Sequence, residues 1–332
     1  MVERMKNKSA IPLFLFVLLL LFLNSTGISG PLEVHFIDVG QGDSIFIITP
    51  NNKTILIDAG IHSDENDKRN PFNYIGNLKN TGKIRNLNID VAFITHAHDD
   101  HYGGFSYLCR DQGRGQDFAI ENLYYSVFDS KAYGKFWPCL ESLIRRSTFA
   151  SQISARGPPV NPDSEIDIKV LYPFQKIIKP TQEKNDDSIV LLLQYQKTRF
   201  LFTGDASKNV ERELLDQDIQ SNVLKLGHHG SRTASDEEFL QKVKPPSGNF
   251  HIVISSNDKD GKGKRFGHPH RETLEMLKRF GDMKLFRTDL HGTVVFNTDG
   301  NVLRVEIQKS EVPGEKLWEP GFKSTEVKYG RE

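Results

Sequence analysis

The chain has 332 residues, 37% of them hydrophobic, which is enough for one large domain or two. Basic and acidic residues balance to a formal net charge of zero, so no global field would draw the chain to nucleic acid or an anionic membrane. Apolar periodicity continues to about residue 308, which excludes a disordered chain.

The N-terminus is set apart. Arg4, Lys6 and Lys8 precede an apolar run from Ala10 to Leu23, and small or polar residues follow. This is the pattern of a secretory signal, with cleavage expected after Ser29; an uncleaved anchor is the competing reading. Removal of residues 1–29 leaves a formal charge of −2 and a secreted or periplasmic protein.

Strands are predicted at "LEVHFIDV", "SIFIITP" and "KTILIDAG", the last two joined by the hairpin signal "PNNK". "IDVAFIT" is nearly all apolar and reads as a central strand. Residues 103–110 could begin a helix. Residues 132–147 read as a helix with Phe136, Leu140, Leu143 and Ile144 on one face. After the breaker "RGPPVNP" come strands at "SEIDIKVLYP", "SIVLLLQY" and "TRFLFTGD", then a helix opened by Ser207, with Glu211 in its first turns. "SNVLKLGHHG" is a strand ending in histidines. "SDEEFLQKV", "HIVISSN", "HRETLEMLKRF" and the hairpin "GTVVFNTDGNVLRVEI" complete a layered α/β domain over 30–308. Residues 309–332 form a polar tail. Cys109 and Cys139 are either a disulfide or two buried small hydrophobes.

"THAHDDHYGG", Thr95 to Gly104, places three histidines and two aspartates directly after an apolar strand. Packing has no use for such groups, and isolated buried charges are costly. In extended chain, residues i and i+2 face the same side, so His96 and His98 can hold one ion together. Asp100 and His101 fall where the chain turns and can face a second. Imidazole and carboxylate suit zinc, and also manganese or iron. Asp205, His228, His229 and Asp58 end three further strands. Alone, an Asp in a "GD" turn is ordinarily turn chemistry; together these strand ends are what a layered α/β site should show.

With those residues in hand, the chain resembles the metallo-β-lactamase superfamily, whose H-x-H-x-D-H signature appears as His96 to His101. It looks closest to the hydrolase domain of ComEC-type competence proteins, through "VHFIDVGQGDSIFI", "ILIDAG", "NDDSIVLLL", "FLFTGD", "LKLGHHGS" and "RFGHPHRETLEML", in order, over about residues 32–298. The resemblance implies a four-layer αβ/βα sandwich with two divalent metal ions, zinc or manganese, at one edge. It implies His96 and His98 on the first ion, Asp100 and His101 on the second, Asp205 as bridge and His228 as last histidine, with His229 the rival. The further histidine that many members carry before the bridge is missing; Asn185 or Asp186 stands in that region. Gln41 and Asp43, in the glycine-rich turn "DVGQGDS", are expected as supporting groups.

The reaction so implied is attack by a hydroxide shared between two cations. Asp58 or Asp99 is expected to orient the water or take a proton, and His228, His229 or His268 to hold or protonate the leaving group. Asn185, Ser231, His270 and Arg265, with Lys262 and Lys264 nearby, are the substrate-binding candidates. His291 and Asp289 are weaker candidates. The expected substrate is a phosphodiester, either nucleic acid or a wall-polymer type. The competing readings are an esterase or lactonase on the same site, and a non-catalytic, metal-stabilised partner of a DNA-uptake channel.

Overall fold

The computed structural model describes residues 30–61, 69–109, 117–256, 267–309 and 317–318. The leader expected over 1–29, most of the tail, and Lys262, Lys264 and Arg265 lie outside the described residues.

Among the described residues, fourteen strands form two sheets. The first has the order β14-β13-β1-β2-β3-β4-β5-β6: β1 Leu32–Phe36, β2 Ile45–Ile48, β3 Thr54–Ile57, β4 Asn88–Ile94, β5 Ala119–Tyr125, β6 Phe149–Gln152, β13 Val294–Thr298 and β14 Leu303–Ile307. The second has the order β12-β11-β10-β9-β8-β7: β7 Asp167–Tyr172, β8 Val190–Tyr195, β9 Thr198–Phe202, β10 Val223–Lys225, β11 His251–Ile254 and β12 Lys284–Arg287. Helices α1 Pro71–Asn80, α2 Asp99–Tyr102, α3 Ser130–Tyr133 and α4 Trp137–Arg146 follow strands of the first sheet. Helices α5 Lys208–Glu213, α6 Glu237–Val243, α7 Arg271–Phe280 and α8 Thr288–His291 follow strands of the second.

Three cores explain why the strands read as almost continuous apolar runs. Alternate residues face opposite sides of a sheet, and here both sides are covered. Val34, Phe36, Ile45, Ile47, Phe93, Phe200 and Phe202 meet between the sheets. Their neighbours Phe46, Leu56, Ala92 and Ile94 face α1 and α4 through Phe72, Ile75, Leu140 and Leu143. On the far side Leu192, Leu201 and Leu224 face Val210, Phe239, Leu240 and Leu277. Each fully buried Phe or Leu contributes roughly 1.5–3 kcal/mol. The result is the expected four-layer αβ/βα sandwich.

The sequence reading passed over β5, β6 and β12. β5 carries half-buried Glu121 and Asn122, β6 is an edge strand with no fully buried residue, and β12 has four residues beginning with an exposed Lys. Such strands lack the apolar signal. The helix expected over 132–147 begins at Trp137, since Gly134 adopts a positive φ of 52° and a short 3-10 turn intervenes. Residues 103–109 are a 3-10 segment rather than an α-helix. Cys109 and Cys139 form a disulfide that ties this segment to α4.

Candidate metal centre

The strands that matter run parallel: β3 with β4, and β9 with β10 and β11. Their C-terminal ends therefore lie at the same edge, and the loops that leave them meet there. Backbone bonds bind these loops together. Asp43 N–H donates to Asp100 O (3.1 Å), Gly60 N–H to Asp43 O (2.7 Å) and Ala59 N–H to His101 O (2.8 Å). The contact explains the glycine in "GQGDS": a Cβ at Gly42, where φ is +117°, would lie 2.0 Å from Asp100 O.

Among the described residues, two overlapping ligand groups result. Asp43, His101, Asp205 and His229 bring one ligand atom each within 4.8 Å of one another, and so do His96, His98 and Asp205. Asp205 is common to both. All but His98 are buried.

Each imidazole of the larger group is held from behind. His101 Nδ1–H donates to Asp58 Oδ2 (2.7 Å), and Asp58 also accepts from Thr95 N–H (2.8 Å) and Thr95 Oγ1–H (2.6 Å). His229 Nδ1–H donates to Ser255 O (2.8 Å). Both Nε2 atoms therefore turn inward, 3.3 Å apart, with Asp205 Oδ1 3.2 Å from His101 Nε2 and Asp205 Oδ2 3.3 Å from His229 Nε2. A histidine whose outer nitrogen is fixed by a carboxylate or carbonyl is the usual support of a metal ligand. In the smaller group His96 Nε2 and His98 Nδ1 stand 3.0 Å apart, and His96 Nε2 lies 3.8 Å from Asp205 Oδ2.

The donor set fits divalent cations. Among the described residues, no hydrogen-bond donor satisfies Asp43 Oδ1 or Asp205 Oδ1, though both atoms are buried; buried polar atoms are otherwise almost always paired. The field points the same way. Burial opposes a charge on His229, yet Asp205 and Asp100 hold its pKa up at about 10. Burial likewise opposes ionisation of Asp205, yet His101, His229 and His228 hold its carboxyl well below the usual range. His96 and His98 shift down, chiefly by burial, and remain neutral donors of a lone pair.

Several expected roles change place. Asp58 is fully buried behind His101 and orients it rather than a water. Asp99 is exposed and accepts from Tyr102 Oη–H (2.7 Å), away from both groups. His229, expected as a rival or an acid, sits inside the larger group, while His228 lies at the rim, its Nε2 3.8 Å from Asp205 Oδ2. Asp100 lies just outside, its Oδ2 3.3 Å from His229 Nε2 and accepting from Gln41 Nε2–H (3.2 Å). Asp43, expected in support, joins the larger group. Asn185 reaches His228 (3.4 Å), and Asp186 accepts from the Ser207 hydroxyl and is in neither ligand group. Ser231 is buried, with its hydroxyl against Thr233 Oγ1 (3.0 Å), and His270 Nδ1 accepts from Arg232 N–H (3.0 Å); both shape the loop after β10. His268 packs on His228 and His229, with ring centroids 5.1 and 6.0 Å away. His291 and Asp289 bind Arg287 in a buried turn and take no part.

One residue was missed altogether. Lys225, the last residue of β10, is fully buried, touches Asp43 Oδ2 and donates to Gly204 O (2.7 Å). Its signal was present: a lone charge inside the apolar run "NVLKLG" of a central parallel strand demands a buried partner.

Fold and site together define a layered α/β protein with a candidate centre for two cations that share one carboxylate. The chain belongs to the metallo-β-lactamase superfamily, whose profile matches residues 37–249. It is 30% identical over 299 residues to ComE operon protein 3 of Bacillus subtilis (strain 168), covering 86% of this chain and 35% of that one. It is 34% identical over 268 residues to Competence protein ComA of Neisseria gonorrhoeae, covering 78% and 31%. These relatives support the ComEC-type resemblance, and the chain spans about a third of their length. Among solved structures it is similar to the metallo-beta-lactamase fold protein YhfI from Bacillus subtilis, with 11% identity, a TM-score of 0.48 and coverage of 81% of this chain and 100% of that one.

Proposed function

We propose that the protein is a secreted, two-metal hydrolase of phosphodiesters. The observation that carries the reading is the pair of ligand groups joined through Asp205. Two divalent ions held there, zinc or manganese, would supply an activated water and stabilise charge on a phosphoryl centre. His96 and His98 would hold the first ion; Asp43, His101 and His229, steadied by Asp58 and Ser255, would hold the second. Asp100, close to His229, adds a carboxylate at the same position. His228 and His268 face the rim as neutral imidazoles. Burial, then the neighbouring histidines, pushes the His268 pKa down to about 3. They suit hydrogen bonding to phosphoryl or leaving-group oxygens.

Relatives named for competence and recombination favour a nucleic acid strand as substrate. The balanced charge of the chain favours a smaller or wall-polymer diester, since sequence-independent DNA binding draws on many Lys and Arg contacts. The test is metal content by elemental analysis together with turnover of bis(p-nitrophenyl) phosphate in added Zn²⁺ and Mn²⁺. About two ions per chain with diester turnover supports the reading, and single-stranded DNA follows as substrate. Bound metal without diester turnover would move the assignment to esters or lactones.

A further inference from the structure

Lys225 stands where a metal-binding site would not ordinarily place a cation. Val223, two residues earlier, belongs to the core between the sheets, so the two-residue period of β10 sends Lys225 into the same layer at the end that meets the centre. Its ammonium touches Asp43 Oδ2, donates to Gly204 O at 2.7 Å and lies 3.6 Å from Asp205 Oδ1. Two carboxylates that would hold the second ion therefore already face a fixed positive charge. For binding a cation alone, that charge is a handicap. A charge count supplies a reason for it. Asp43, Asp58, Asp100 and Asp205 bring four carboxylates to the centre, which two divalent ions match. The attacking hydroxide adds one negative charge, and the Lys225 ammonium offsets it.

We propose that Lys225 is a specificity residue that keeps the doubly loaded, hydroxide-bearing centre from becoming anionic and so favours an anionic diester over a neutral ester or lactone. The inference rests on the two-metal reading above. Lys225 lies behind Asp43 and Asp205 and touches no substrate; it acts as a positioning residue through its field, which the protein interior screens weakly. It also keeps Asp43 Oδ2 occupied, so that the buried Oδ1, which no donor among the described residues satisfies, is the oxygen that remains for a cation.

The proposal has a signature that a merely structural lysine lacks. Removing the charge should move cation and anion binding in opposite directions, whereas loosening the fold would weaken both. Lys225→Met removes the charge, and Lys225→Gln does so while keeping a donor for Asp43 and Gly204 O. In each full-length variant Mn²⁺ binding is followed by calorimetry, and inorganic phosphate binding is measured on the Mn²⁺-loaded protein. Mn²⁺ binding at the second position should tighten and phosphate binding should weaken, each by roughly tenfold or more, as a unit charge a few ångströms away in weakly screening surroundings requires. KM for bis(p-nitrophenyl) phosphate should rise with the phosphate constant, while p-nitrophenyl acetate turnover, however slow, should not fall. Metal and phosphate weakening together, neither changing, or neither variant being recovered folded would each overturn the proposal. A wild-type protein that binds no Mn²⁺ sinks the two-metal reading itself; a wild-type protein with two ions and unchanged variants sinks only the role of Lys225.

Discussion

The two ligand groups are built differently. The group of His96, His98 and Asp205 is local: two ligands come from one tripeptide in the bend that follows β4, and one of them is partly exposed. The group of Asp43, His101, Asp205 and His229 is assembled from four separate connections between strands, is buried throughout, and has a fixed partner behind each imidazole. The first position is thus set by chain geometry and the second by the tertiary fold. Rigid support predicts that the second position is the tighter and more selective one.

Substitutions can break that contrast at several points. The largest effect belongs to Asp205→Ala, which removes the carboxylate common to both groups. Elemental analysis should show both ions lost, and diester turnover should fall roughly a thousandfold or more. His98→Ala should instead remove the first ion and leave the second, giving about one ion per chain. Loss of both would mean that the positions fill only together. Asp58→Asn disturbs chiefly the second position, because Asp58 holds the His101 ring directly and reaches His96 only through Thr95 Oγ1, 3.1 Å from His96 Nδ1. Metal titration should show roughly 10–100-fold weaker binding there, with a smaller loss at the first position.

The smallest effect is on stability. Glu211 is buried beneath the loop after β10, accepting from Ser235 N–H (2.6 Å) and Ser235 Oγ–H (3.1 Å), and Ser235 Oγ in turn accepts from Gly227 N–H (3.1 Å). Burial raises its pKa from 4.5 to about 8, against these hydrogen bonds. The folded state therefore holds a proton that the unfolded state has lost between those values, and stability must decline as pH rises through that window. Thermal melts between pH 5 and 8.5 should show this decline, and Glu211→Gln should flatten it. An unchanged slope in Glu211→Gln would assign the decline to other groups.

The legibility of the sequence follows the same divide. "HAHDDH" could be read because its ligands are adjacent in sequence, although the extended chain expected there gives way to a bend at His96 and Ala97 and a helical turn from Asp99. Asp205 and the histidine pair could be read because each ends an apolar strand. Asp43 was placed only in support, since nothing local shows that its turn folds back onto Asp100. His228 and His229 could not be ranked, because both adopt left-handed backbone, with φ of 47° and 53°. Alternation fails for such residues, so which ring turns inward depends on the loop. Lys225 was overlooked for the opposite reason: the strand period was applied to apolar residues and not to the one charge among them. The four-layer fold was legible because most strands are apolar on both faces; the edge strands β6 and β12 and the half-polar β5 were not.

The chain passes from the first sheet to the second between Gln152 and Asp167. Asp43, Asp58, His96, His98, Asp100 and His101 precede that passage; Asp205, Lys225, His228 and His229 follow it. Neither half owns a complete ligand group. The shared carboxylate belongs to one half, and most of the imidazoles it faces belong to the other. A cut in the passage would leave two fragments with no finished site in either, so a tightly held ion would itself report that the halves have met in register.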